Sequence, residues 1–182
     1  MIVHLSETAF LSVVLSSIEP YKKECYGLLL GYRTSREWRV EYVLPYQTAS
    51  REHSRVTPHG QRDRRLRACL PQVCNYEILG SYHSHPAWGR CRALAKPSPT
   101  DIASLPPGEL DLIIAVNDAH RTLRWNYRDE GKALAGTVHN FALKIAGYYK
   151  PSIRDYSLDC PMRRTLIRCE YALGFESDIA PK

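Results

Sequence analysis

Apolar residues along the chain change period several times, and each change marks an element. Residues 2–5 suit a short strand. Ser6 then offers an N-cap, and Phe10, Val13, Val14, Ser17 and Tyr21 keep to one helical face until Pro20 weakens the pattern. Two β-rich runs, 26–32 and 38–44, flank the polar stretch 33–37 and predict a hairpin. Pro45, Pro58 and Gly60 punctuate a loop over 45–60. Leu66, Cys69, Leu70 and Val73 then recur at the i, i+3, i+4, i+7 spacing of an amphipathic helix.

The second half predicts a strand over 76–83, ended by Pro86. A second hairpin is expected from 110–117 and 122–127, turning over 118–121. Residues 133–149 fit strand or helix equally. Near the end, Pro161 suits a first helical turn, Leu166, Cys169 and Leu173 share a face, and Gly174 suits the stop. No repeat, low-complexity tract or linker interrupts the chain. Strands and helices interleave, which predicts one layered α/β or α+β domain.

Composition removes whole classes of function. With 182 residues, 44% hydrophobic and 24% charged, the chain can bury one sizeable core and is neither disordered nor a disulfide miniprotein. A net charge of +6 favours an acidic partner without announcing nucleic acid. The most apolar stretches, 9–18 and 110–116, fall far short of the ~20 residues that span a bilayer, and no secretory leader is recognisable. Six cysteines without a C-x-x-C pair read as free thiols in a reducing compartment, so a cytoplasmic location is expected.

Candidate chemistry concentrates between Gly80 and Asp101, in GSYHSHPAWGRCRALAKPSPTD. His83 and His85 end a predicted strand, where residues i and i+2 share a face, so both imidazoles can turn to one metal ion. Seven histidines yield about 0.3 H-x-H pairs by chance, so the pair alone establishes nothing. Ser98-Pro99-Thr100-Asp101 has the form of a helix start, with Ser98 as N-cap, Pro99 at N1 and Asp101 at N3. A capped first turn also holds its carboxylate rigidly, as a third metal ligand must be held. Two histidines and a carboxylate leave one tetrahedral position open for water, the mark of a catalytic zinc site. Such a water needs a proton acceptor. Glu24, at the mouth of the first hairpin strand, is a candidate, although a lone glutamate at a strand edge is ordinarily just solvated.

Glu24 ahead of Gly27-Leu28-Leu29-Leu30-Gly31, then His83-Ser84-His85-Pro86, then Ser98 and Asp101, resembles the JAMM/MPN+ metalloprotease family. That family includes proteasome-lid and endosomal deubiquitinases, archaeal desampylases and bacterial sulfur-carrier processing peptidases. The resemblance implies a central mixed sheet flanked by helices, with one zinc ion at the sheet edge held by His83, His85 and Asp101. It also implies Glu24 as general acid/base, Ser98 as oxyanion donor, and a ubiquitin-like or sulfur-carrier protein as substrate, cut at a peptide or isopeptide bond. The matching motif spans residues 24–101. A catalytic domain over 1–145 and a helical extension over 146–182, packed on the same domain, are expected. A non-catalytic scaffold or interaction module of the same fold is the alternative.

One departure bears on the site. Fifteen residues separate His85 from Asp101, where the family usually has about ten, and the excess falls in 87–96. A loop absorbs roughly five residues for well under 1 kcal/mol, so Asp101 need not move. Cys91 lies in this loop as a soft thiol beside the expected metal, though an ordinary loop cysteine is the commoner reading. Arg51, Arg55, Arg62, Arg64, Arg65 and Arg67 gather positive charge before the histidine strand, read as a solvated loop and a polar helix face. His53 and His59 have no metal-ligand spacing to the motif.

Overall fold

A computed structural model describes residues 1–47, 50–51, 56–57, 59–151 and 162–174. The chain starts as expected, with strand β1 (Ile2–Leu5) leading into helix α1 (Glu7–Ile18). Ser6 caps that helix: its backbone is extended and its hydroxyl accepts from the Ala9 N–H at 3.1 Å, satisfying one orphan donor of the first turn. The predicted hairpin forms from antiparallel β2 (Tyr26–Arg33) and β3 (Glu37–Pro45). A short antiparallel pair, β4 (Ser50–Arg51) and β5 (Val56–Thr57), precedes helix α2 (Gly60–Val73). Strand β6 (Glu77–Pro86) and helix α3 (Pro99–Ser104) carry the candidate chemistry.

Strands β7 (Leu110–Asp118) and β8 (Asn126–Arg128) follow, then β9 (Ala133–Val138) and β10 (Phe141–Tyr149). The described chain ends with β11 (Arg163–Arg164), β12 (Leu166–Arg168) and a single turn of helix, α4 (Glu170–Leu173). One mixed sheet runs in the order β12-β1-β3-β2-β6-β7-β10-β9-β8, with β11 added to β10. Strand β6 lies parallel to β7 and antiparallel to β2, so the residues between 86 and 110 form a crossover that includes α3.

Its two faces are covered differently. Helix α1 lays Phe10, Val13 and Val14 over Val3, Leu29, Val40 and Tyr82 on one face. The opposite face is covered in two separate places. Leu70 of α2 packs on Leu28, Leu30 and Tyr46, while Ala95 of the segment after β6 packs on Ile113, Ala115 and Tyr148. Between these covers the odd-numbered face of β6 stays open to a cleft.

Three expectations are corrected or resolved. Residues 110–117 and 122–127 do not form a hairpin with each other: β7 lies between β6 and β10, and β8 pairs with β9. Every residue of β7 except Asp118 is buried, and so continuous an apolar run demands covered faces and partners on both edges. The ambiguous stretch 133–149 is two antiparallel strands, because β7 offers β10 a full edge to pair with.

The third concerns the C-terminal extension. Leu166 and Cys169 do not share a helical face with Leu173: β12 pairs in parallel with β1, and among the described residues of the extension α4 alone is helical. The Leu166 N–H donates to the Met1 carbonyl at 3.0 Å. An open edge of β1 would leave backbone groups unpaired, and closing it outweighs the weak helical preference of three residues. Residue 145 falls inside β10, and the following β11 and β12 join the same sheet. Pro161 lies outside the described residues, as do His53 and Arg55. In α2 the expected apolar face is incomplete, since Leu70 is buried while Val73 is 79% exposed. Among the described residues no helix is long and apolar enough to cross a membrane.

Candidate metal centre

Strand pleat brings the histidines together. Residues 81, 83 and 85 of β6 share the open face, with Tyr26 of β2 opposite His83 and Asp111 of β7 beside Ser81. Gly80 sets this phase: β6 bulges between the pairs Gly80–Leu29 and Ile78–Leu30. Its φ of +153° and its closeness to the Leu110 carbonyl leave no room for a Cβ.

The Nε2 atoms of His83 and His85 lie 3.0 Å apart. Asp101 Oδ2 is 3.5 Å from the first and 3.7 Å from the second. One ligand atom from each of the three residues falls within 4.8 Å of the others, a spacing that can hold a metal ion.

Each member is fixed from behind. The His85 Nδ1–H donates to the Leu94 carbonyl at 3.0 Å. A carbonyl can only accept, so the ring proton sits on Nδ1 and the Nε2 lone pair points into the cluster, the tautomer a metal requires. His83 Nδ1 lies 3.3 Å from Asp111 Oδ1, to which it donates in the same way. Asp101 is held by the predicted capping box: the Ser98 N–H donates to its Oδ2 at 2.6 Å, and its own N–H donates to Ser98 Oγ at 3.2 Å.

Charge reinforces geometry. Burial alone pulls the His83 imidazole down, but the Asp111 charge and the ring's hydrogen bonds to the Asp101 and Asp111 carboxylates outweigh it, holding His83 well above its ordinary value. Burial pushes Asp101 up, and the facing imidazoles of His83 and His85 reverse this, leaving its carboxyl far below the usual range.

Glu24 lines the same cleft, next to a backbone pairing of β6. The buried Ser84 hydroxyl, between the two histidines, accepts from the Cys25 N–H at 2.9 Å, and the Ser84 N–H donates to the Cys25 carbonyl at 3.2 Å. That pairing leaves Glu24 only 6% exposed, in a cleft of about 1130 Å³ that His83, His85, Trp88, Ser98 and Asp101 also line.

A model of the prokaryotic homologues of the JAB domain matches residues 7–128, more than half of the chain. The protein belongs to this family. Among solved structures, it is similar to the solution structure of a protein from Desulfitobacterium hafniense, 15% identical over 92% of each chain, with a TM-score of 0.58. That likeness concerns the fold. No curated protein matches the chain.

The JAB domain thus gathers Glu24, His83, His85, Ser98 and Asp101 around one cleft. The lengthened loop does not displace Asp101. Its backbone closes a small turn, with Trp88 and Cys91 exchanging N–H to carbonyl bonds at 3.1 and 2.8 Å, and its Leu94 carbonyl supports His85. Cys91 is exposed and outside the cleft lining, so its thiol does not approach the ligands. Arg67 lines the cleft from α2, tied to Asp63 by two 3.1 Å contacts. Asp111 escaped the reading from sequence, yet it carried a signal: a lone charge inside the apolar run 110–116 must have a buried partner.

Proposed function

We propose that this JAB domain is a zinc-dependent peptidase or isopeptidase that cuts at the C-terminus of a ubiquitin-like or sulfur-carrier protein. One observation carries the reading: two imidazole Nε2 atoms and one carboxylate oxygen converge, with a buried glutamate in the same cleft. The donor set of two nitrogens and one oxygen fits zinc with one position open. Bound zinc would polarise a carbonyl and lower the pKa of water toward about 7.

The chain's own residues divide the remaining work. His83, His85 and Asp101 would hold the ion, and Asp111 and the Leu94 carbonyl keep the two rings turned into the cluster. Glu24 takes a proton from the attacking water and returns it to the departing amine. Ser98 Oγ already accepts from the Asp101 N–H, so its own O–H is left to donate to a developing oxyanion. The net positive charge favours an acidic substrate surface, and the reaction is assigned to the cytoplasm.

The purified chain should carry one zinc ion and cleave a ubiquitin-like fusion, with both properties lost on chelation. His83→Ala/His85→Ala protein should be folded and metal-free. Full zinc occupancy in that variant would overturn the ligand assignment, and a metal-loaded chain inert toward every such fusion would overturn the substrate class.

A further inference from the structure

The segment that supports His85 has a second side. Behind it, on the same face of the sheet, lies a cavity of about 390 Å³ bounded by residues 92–96, the β7–β10–β9 surface and β8. Arg92, Lys96, Arg128, Lys144 and Arg164 all line it, against a single carboxylate, Asp129. That carboxylate is already engaged, 2.8 Å from Lys144 Nζ and 2.8 Å from Arg164 Nη2, and the two cations hold it down at about 2. Arg92, Lys96 and Arg128 form no ion pair among the described residues. Three cations without a described carboxylate partner on one concave surface focus a positive field into it.

Its floor is of another kind. Ala115, Ala135 and Ala142 present only methyl groups, and the Gly136 backbone completes an apolar base. A bare inorganic anion has no use for such a floor. Small-molecule sites of about 300–1,000 Å³ typically combine an apolar lining with a few placed polar groups.

We propose that this cavity is a binding site for a small organic phosphate. The phosphate engages Arg92, Lys96 and Arg128, and the organic body rests on the alanine floor. Arginine suits this role because its planar fork meets two phosphate oxygens at once.

Its wall is also the support of the metal centre, and Arg92 and Lys96 line both cavities, leaving Arg128, of the three, as the cation particular to this one. The Ala93 N–H donates to Asn117 Oδ1 at 2.8 Å, Asn117 Nδ2 donates to the Ala93 carbonyl at 3.2 Å, and the Tyr148 hydroxyl donates to the Ala95 carbonyl at 2.8 Å. Between these anchors the Leu94 carbonyl holds His85. The ligand therefore sits on the reverse of the strap that fixes one metal ligand. The site itself stands on cavity and charge alone, whatever reaction the metal centre performs.

Calorimetric titration of the full chain at low salt, with adenosine monophosphate, inorganic phosphate and adenosine as probes, tests the assignment. Adenosine monophosphate should bind once per chain and at least about tenfold tighter than either fragment. Lys96→Ala and Arg128→Ala should each weaken it by roughly three- to tenfold, while Arg62→Ala/Arg65→Ala on α2 leaves it unchanged. Binding should persist in His83→Ala/His85→Ala protein, which separates this site from the metal centre. The proposal is overturned if adenosine monophosphate does not bind at millimolar concentration, or if phosphate alone binds as well. It is equally overturned if the α2 pair matters as much as the cavity residues, or if removing the histidines abolishes binding.

Discussion

Replacing Asp111 with asparagine or alanine tests whether the buried carboxylate behind His83 prepares that ring for metal. Asp111 is 3% exposed and lies 3.3 Å from His83 Nδ1 and 3.5 Å from the Ser81 hydroxyl. Asparagine keeps an acceptor but loses the charge that makes the ring a better donor to metal. Alanine removes both and lets the imidazole rotate. Changes behind a ligating histidine typically cost 10–100-fold in metal affinity, or about 1.4–2.8 kcal/mol. The asparagine variant belongs at the low end and the alanine variant at the high end. Competition against a chromophoric chelator measures the affinity directly, with circular dichroism confirming the fold.

The metal-free protein provides a second readout. His83 is held well above its ordinary pKa, which burial opposes and the Asp111 charge and the bonds to Asp101 and Asp111 more than offset. Its stabilising contribution is therefore complete below the unfolded value near 6.5 and is lost as pH rises through the raised folded value. Melting temperature of chelated wild-type protein should fall across that window, and Asp111→Asn should flatten the fall. A zinc affinity for Asp111→Ala within about twofold of wild type, together with an unchanged pH profile, would refute the orienting role.

Three further outcomes are expected. Glu24→Gln should keep fold and metal but lose about 10²–10⁴ in cleavage rate, checked by zinc analysis beside single-turnover kinetics. Ser98→Ala removes an N-cap worth about 0.5–2 kcal/mol and an oxyanion donor worth about 10²–10³ in rate. Ser98→Asp should restore the melting temperature and not the rate, whereas full activity in that variant would leave Ser98 a structural cap. Gly80→Ala forces a Cβ against the Leu110 carbonyl at φ +153°, costing about 2 kcal/mol or more and roughly 4–8 °C of melting temperature; an unchanged melt would show that the bulge relaxes freely.

Local physics made much of this protein readable from its sequence. The Ser6 cap, the hairpin over 26–45 and the Ser98-Pro99-Thr100-Asp101 helix start each depend on residues a few positions apart, and all three form as expected. The shared face of His83 and His85 follows from strand alternation alone. These features involve backbone donors and side-chain directions that neighbouring residues already determine.

What the sequence left open depends on partners distant along the chain. Nothing near residues 110–118 says that β6 and β10, rather than 122–127, take its two edges, because a uniformly buried strand carries no directional pattern. Residues 166–168 become a strand only because β1 has an edge to close. Glu24 looked like a solvated strand end until the Ser84–Cys25 pairing drew it into the cleft. Asp111 and the Leu94 carbonyl support the histidines from 28 and 9 residues away in sequence. The candidate ligands His83, His85 and Asp101 are written in short-range spacing, whereas their tautomers, their charge and the burial of Glu24 are set by the tertiary fold, which alone decides which acceptor meets which ring.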